Sequence, residues 1–272
     1  MTPRTGEGRG ALGGDGPEAL FQPADGRWED YAARDGLRGV LDPADAAGAK
    51  NAAIDALHKL ALERALGRRR FARALDFGCG TGRLTRYLAA RVRHVVGADL
   101  TSAMLRRAAR EGTVANVTYL RFDGRRLPLP DACLDLAVSV YVLQYAVREP
   151  ATYAALLAEL ARVLAPAGLL VCIEQASSGP CASPSVGRPA SVADYLEPAG
   201  AHFRLVARDP VRLGRPGRVE RRTLLRPGIP ALLRHAAARV ALARTVHLSE
   251  RALTAQPYAD WLFCLARAEG AG

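Results

Sequence analysis

Ala74-Leu75-Asp76-Phe77-Gly78-Cys79-Gly80-Thr81-Gly82-Arg83-Leu84-Thr85 decides the reading of this chain. The apolar run Phe71 to Phe77 has the length and character of a short buried parallel strand. It gives way to three glycines at alternate positions, after which Leu84, Tyr87 and Leu88 follow at helical spacing. Glycines there let the backbone turn sharply and let a ligand reach the amides without a Cβ in the way. A helix beginning near Thr81 would point its free N–H groups at the same ligand.

A second strand, His94-Val95-Val96-Gly97-Ala98-Asp99, ends on a carboxylate 17 residues after Gly82. An acid at the tip of the second strand is placed to accept hydrogen bonds from ribose hydroxyls. The glycines read G-x-G-x-G, whereas dinucleotide sites use G-x-G-x-x-G to bring backbone against a pyrophosphate. That spacing, and the lack of a plausible proton-transfer pair, weaken a nicotinamide-dependent dehydrogenase reading.

With Asp76 just before the glycines and Asp99 beyond them, the stretch resembles the first motifs of the class I S-adenosylmethionine-dependent methyltransferases. The resemblance covers about residues 70 to 175 with specific motifs, and the flanks only by general plan. It implies an α/β fold, a doubly wound and mostly parallel seven-stranded sheet whose last strand is antiparallel. S-adenosylmethionine is the cofactor it implies. The loop of Gly78, Cys79, Gly80 and Gly82 would pass under the methionine part, with Asp76 holding the loop or facing the amino group. Asp99, adjoined by Leu100, would take the ribose hydroxyls, and Met104 would pack on the adenine. Asp123 would receive the adenine amino group, with Gly124 allowing close passage. Ser139 and Tyr141 would stand at the end of the fourth strand, where side chains reach both cofactor and acceptor.

The rest of the chain agrees in outline. Residues 1–25, rich in Gly, Pro and charge, read as a disordered tail, and 26–272 as one domain. Within it, 26–70 form an N-terminal helical cap. The start signal Asp42-Pro43-Ala44-Asp45 precedes a helix reaching Leu66, with Ile54, Leu57, Leu60, Ala61 and Ala65 on one face. Lys50 at its opening could meet a carboxylate such as that of the methionine moiety. Residues 71–175 are the cofactor-binding core: strands at Asn116–Phe122, Leu134–Val140 and Gly168–Ile173 alternate with helices from Thr81, Thr101 and Pro150. The part 176–272 completes the sheet, with a loop at Ser177–Pro189, a short helix near Val192–Leu196, and strands at His202–Ala207 and Tyr258–Leu265. Between these two strands lies an insertion of about 215–256 containing the helix-like run Ile229–Val246, read as a lid or a dimer element.

Composition narrows the function classes. The formal charge is +11, but 36 of the 38 basic residues are arginine and they are scattered, so nucleic acid is an unlikely partner. Cys79, Cys133, Cys172, Cys181 and Cys264 form no C-x-x-C pair and no metal spacing, which indicates reduced thiols and no metal. There is no leader-like apolar segment, and the longest apolar run is too short to span a bilayer, so a cytoplasmic protein is expected. Methyl transfer chiefly requires donor and acceptor to be aligned in a dry pocket. An oxygen acceptor of high pKa also needs a base. Tyr141, Glu174 and His202 are candidates by location, and none of the five histidines sits in a base motif. A small-molecule or glycan-type acceptor is the leading expectation. An RNA or protein methyltransferase and a silent cofactor-binding module are the alternatives, and a homodimer is left open.

Overall fold

The computed structural model describes residues 27–112, 114–177, 190–213 and 258–268. The expected tail at 1–25, the expected loop Ser177–Pro189 apart from Ser177 itself, and the expected insertion at 215–256 with its helical run at 229–246 lie outside the described residues. Two elements open the described chain: helix α1 (Trp28–Ala32) and a 3-10 turn at Gly36–Gly39. Helix α2 (Ala49–Leu66) follows and leads into β1 (Phe71–Phe77). Then come α3 (Arg83–Ala89), β2 (Val92–Asp99), α4 (Ser102–Arg110), β3 (Val117–Arg121) and β4 (Leu134–Val140). The single turn α5 (Leu143–Ala146) precedes α6 (Pro150–Val163) and β5 (Leu164–Ser177). Helix α7 (Val192–Ala199), β6 (Phe203–Leu213) and β7 (Tyr258–Arg267) complete the described chain.

Seven strands form one sheet in the order β3-β2-β1-β4-β5-β7-β6. The first five are parallel, and β7 runs antiparallel to both β5 and β6. The sheet is the doubly wound one expected, with the last strand inserted antiparallel before the edge. Chain order reverses between β1 and β4, and ligands in open α/β sheets sit at such a switch point, outside the strands' carboxyl ends.

Side-chain alternation along the strands separates two apolar layers. On one face Leu75, Phe77, Leu170 and Cys172 pack with Leu156, Leu157 and Leu160 of α6 and Tyr195 of α7. On the other, Ala74, Val138, Val171 and Leu262 pack with Leu57, Leu62 and Leu66 of α2 and Leu84 and Leu88 of α3. The buried stripe of α2 is Ile54, Leu57, His58, Leu62 and Leu66, while Leu60, Ala61 and Ala65 sit at its margin. The helix starts at Ala49, one residue before the expected opening at Lys50-Asn51, and Asp42 and Asp45 fold the turn that precedes it. Asp42 accepts from the Ala44 amide, and Asp45 from the amides of Gly48 and Asn51. The last strands are longer than expected. β6 extends to Leu213 and β7 to Arg267, since the residues gained there pair with the neighbouring strand, apart from Val211 at a register shift.

Candidate functional site

The glycine loop follows directly from β1. The amides of Gly78 and Cys79 donate to Ala98 O at 2.8 and 3.0 Å, fastening the loop across β2. Gly78, Gly80 and Gly82 have φ of 70°, 53° and 75°, a region that a Cβ penalises. A Cβ on Gly78 would meet Val142 at 2.3 Å, and one on Gly80 would meet Val40 at 2.7 Å. Val40, just after the 3-10 turn, brings the N-terminal cap against the loop.

Asp76 is 2% exposed and accepts from Thr85 Oγ1 at 2.6 Å, tying β1 to α3. Burial raises its carboxyl to about 6. Of the two roles expected for Asp76, this bond supplies the holding of the loop. At the tip of β2, Asp99 accepts from the amides of Gly80 at 2.7 Å and Thr101 at 2.8 Å. Burial pushes its carboxyl up, opposed by those two donors. These bonds, with others from the Thr101 side chain and the Leu100 amide, orient Asp99 at the strand tip. Leu100 packs against the core beside it. Cys79 and Met104 are buried. Asp123, beyond β3, accepts from the amides of Arg125 and Arg126, which hold its pKa below the usual range. Gly124 follows with φ 84°. Asp76, the three glycines, Asp99 and Asp123 thus share the carboxyl edge of the sheet.

A buried carboxylate organises the segment after β4. Glu174 accepts from Ser139 Oγ at 3.2 Å and from the amides of Val142, Leu143 and Gln144 at 3.3, 3.1 and 3.1 Å. It therefore caps the first turn of α5, where free N–H groups favour negative charge. Burial pushes its carboxyl up to about 8 even so. With both oxygens committed to this cap, Glu174 is a framework residue rather than the exposed base its position suggested. His202 is also displaced from the expectation. It precedes β6, whose first residue pairs with Arg267 at the far end of β7, so it stands at the opposite edge of the sheet from the glycine loop.

Tyr141 does lie at the edge, with φ 59° and its amide bonded to Ile173 O. Its hydroxyl donates to Asp260 Oδ2 at 2.6 Å. Asp260 is wholly buried and is also bound by Arg212 Nε at 2.6 Å. The Tyr141 ring stands edge-to-face with His58 of α2, centroids 4.9 Å apart. His58 is wholly buried, and Arg83 joins it to Asp55 through bonds of 3.4 and 2.7 Å. Lys50, the other cationic residue considered, is bound to Asp42 at 2.6 Å. Sequence reading missed His58, Arg83, Arg212 and Asp260. One signal was present: His58 is a polar side chain within the apolar stripe of α2. Arg212 and Asp260 carried none, because their meeting depends on the antiparallel register of β6 and β7.

Among the described residues no group of His, Cys, Asp and Glu could hold a metal ion. Cys79, Cys172 and Cys264 are buried free thiols, and Cys181 lies outside the described residues. No helix among the described residues is long and apolar enough to cross a membrane.

Comparison with known proteins places this geometry. Residues 75–172 match the methyltransferase domain family. The malonyl-[acyl-carrier protein] O-methyltransferase of Serratia marcescens is 40% identical over 97 residues, 36% of each chain. The demethylmenaquinone methyltransferase of Thermus thermophilus is 41% identical over 119 residues, 42% of this chain and 50% of that one. The match thus spans about a third to a half of these curated relatives. Among solved structures, the [4+2]-cyclase SpnF aligns with a TM-score of 0.57 at 20% identity, covering 79% of this chain and 82% of its own. A geranyl diphosphate methyltransferase in complex with S-adenosylmethionine aligns at 0.55 and 17%, covering 84% and 93%. At such identities the structures speak for the fold alone. The family match and the edge geometry agree on S-adenosylmethionine as the cofactor.

Proposed function

We propose, from the premise that residues 75–172 form a class I S-adenosylmethionine-dependent methyltransferase domain, that the chain moves a methyl group from that cofactor to a small-molecule acceptor. The observation that carries the proposal is the Asp99–Gly80 bond. It sets a ribose-binding carboxylate and a Cβ-free loop at one switch point. The cofactor supplies an electrophilic methyl group on a sulfonium. The chain's own residues hold and align it: Gly78 to Gly82 leave room for close approach, Asp99 accepts from the ribose, and Asp123 with Gly124 meets the adenine. Tyr141, held by Asp260, faces the acceptor side. The relatives named for malonyl-[acyl-carrier protein] and demethylmenaquinone support a small acceptor. In-line transfer needs orientation and water exclusion more than acid–base chemistry. That requirement suits an edge walled by α2 and the N-terminal cap.

Isothermal calorimetry with S-adenosylhomocysteine tests the reading. Asp99→Ala should weaken binding roughly tenfold or more, since a hydrogen bond to a charged group contributes ~1.5–3 kcal/mol. An unchanged dissociation constant would overturn the ribose assignment. Tight binding without methyl incorporation from labelled donor into any of a broad panel of small acceptors would favour a silent cofactor-binding module.

A further inference from the structure

His58 Nε2 is a buried polar atom without a hydrogen-bond partner among the described residues. Its other ring nitrogen settles what that atom is. Arg83 Nη2 lies 3.4 Å from Nδ1, and a guanidinium can only donate. Nδ1 is therefore the acceptor, and a neutral His58 carries its hydrogen on Nε2. The ring is neutral because burial, with the charges of Arg83, Arg212 and Lys59, holds its pKa well below the usual value. The unsatisfied atom is an N–H donor, and leaving such a donor dry is costly.

Its surroundings favour a negative partner. Three cations, Arg83, Lys59 and Arg212, meet two carboxylates, Asp55 and Asp260, through bonds of 2.6 to 2.7 Å. All three cations act on His58, while Asp76 also faces Arg83 and Asp42 also faces Arg212. The cluster sits at the carboxyl edge, beside the positive-φ Tyr141. Gln175 pairs with Asp260 in the β5–β7 register, and its Oε1 is a second buried atom lacking a partner among the described residues. The Gln175 oxygen is an acceptor that a carboxylate cannot satisfy, so the His58 donor is the atom that calls for a negative ligand.

We propose that His58 Nε2–H is a binding donor for a carboxylate oxygen, with Arg83 and Arg212 supplying the compensating charge. The inference deepens the methyltransferase reading and rests on it. It supplies two sources for that oxygen: the amino-acid carboxylate of the cofactor, or a carboxylate on the acceptor. In the second case the site selects an anionic acceptor that needs no base, because a carboxylate is already ionised.

The test is nitrogen NMR of the histidine side chains in the full chain, with His58 assigned from the spectrum of His58→Gln. Three probes are added separately: S-adenosylhomocysteine, methylthioadenosine (which lacks the amino-acid portion), and acetate with and without S-adenosylhomocysteine. A His58 Nε2–H resonance moved by S-adenosylhomocysteine but not by methylthioadenosine assigns the donor to the cofactor carboxylate. Movement by acetate on top of bound S-adenosylhomocysteine assigns it to the acceptor. In either case His58→Phe should weaken the responsible ligand about tenfold, as loss of a charge-assisted hydrogen bond does. If the nucleosides bind by calorimetry and no probe moves the resonance, His58 is a structural core residue and the inference is overturned. If neither nucleoside binds, the methyltransferase reading fails, and acetate still decides whether an anion site exists.

Discussion

The hydroxyl of Tyr141 lies 2.6 Å from Oδ2 of Asp260, joining the end of β4 to the start of β7 across 119 residues of sequence. The same oxygen receives Arg212 Nε at 2.6 Å. A tyrosine in left-handed backbone is thus fixed by a carboxylate that is itself fixed by a cation. Tyr141→Phe should lower methyl transfer roughly tenfold, the loss expected for one charge-assisted bond of ~1.5 kcal/mol. Affinity for S-adenosylhomocysteine should stay within about twofold. Asp260→Ala removes one carboxylate partner of a mostly buried Arg212 and the acceptor of Tyr141, and should cost about 1–3 kcal/mol in denaturant unfolding. Equal losses of affinity and turnover in Tyr141→Phe would place Tyr141 on the cofactor instead.

Gly80 and Val40 form a second testable pair. Gly80→Ala meets two obstacles: a φ of 53°, which costs a residue with a Cβ about 1–2 kcal/mol, and the Val40 methyl at 2.7 Å. Adding Val40→Ala should recover the steric part and leave the backbone part. Stability of the single and double variants, compared as a mutant cycle, separates the two. No recovery would show that the cap does not press on the loop.

The buried carboxyls set a pH dependence. Folding raises Glu174 from 4.5 to about 8 and Asp76 from 3.8 to about 6. Between each pair of values the native state holds a proton that the unfolded chain has released. The contribution of these groups is therefore greatest at the acid end and falls as pH rises, through about 6 for Asp76 and about 8 for Glu174. Urea midpoints measured from pH 5 to 8 should show wild type losing stability relative to Glu174→Gln, most steeply between about pH 5.5 and 7 and levelling off as pH approaches 8. A parallel dependence in both proteins would mean that Glu174 stays ionised in its cap.

Arg107 latches the N-terminal segment. From α4 it donates to the backbone oxygens of Ala32 at 3.0 Å, Arg34, and Gly36 at 3.2 Å. Arg107→Ala should release residues 28–40, seen as faster amide hydrogen exchange there while β1 and β4 stay protected. Affinity for S-adenosylhomocysteine should fall only a few-fold, because the ribose and adenine contacts lie elsewhere. Unchanged exchange would show that Val40 and the aromatic contacts of Trp28 hold the segment unaided.

What could be read from the chain alone was whatever short-range pattern encodes. The strand–glycine–helix succession around Gly80 and the acid closing β2 are local, and both stand at one edge. Leu134–Val140 was read to the residue, since an apolar run between turns leaves little choice. The ends of β6 and β7 were not legible, because register between distant strands sets them. His58 was passed over for its lack of a motif, although its significance comes from Arg83, 25 residues on. Glu174 shows the opposite error: its edge position was legible, but not the three amides that α5 folds onto it.

The strand order carries one last consequence. Among the described residues β6 pairs with no strand other than β7, so the ten residues from Tyr258 to Arg267 hold the sheet's outer margin and deliver Asp260 to Tyr141. A nascent chain can assemble the five parallel strands while the chemistry at their tips stays unfinished. Competence would arrive only once β7 has paired between β5 and β6, which makes that strand a checkpoint on the assembly of the sheet.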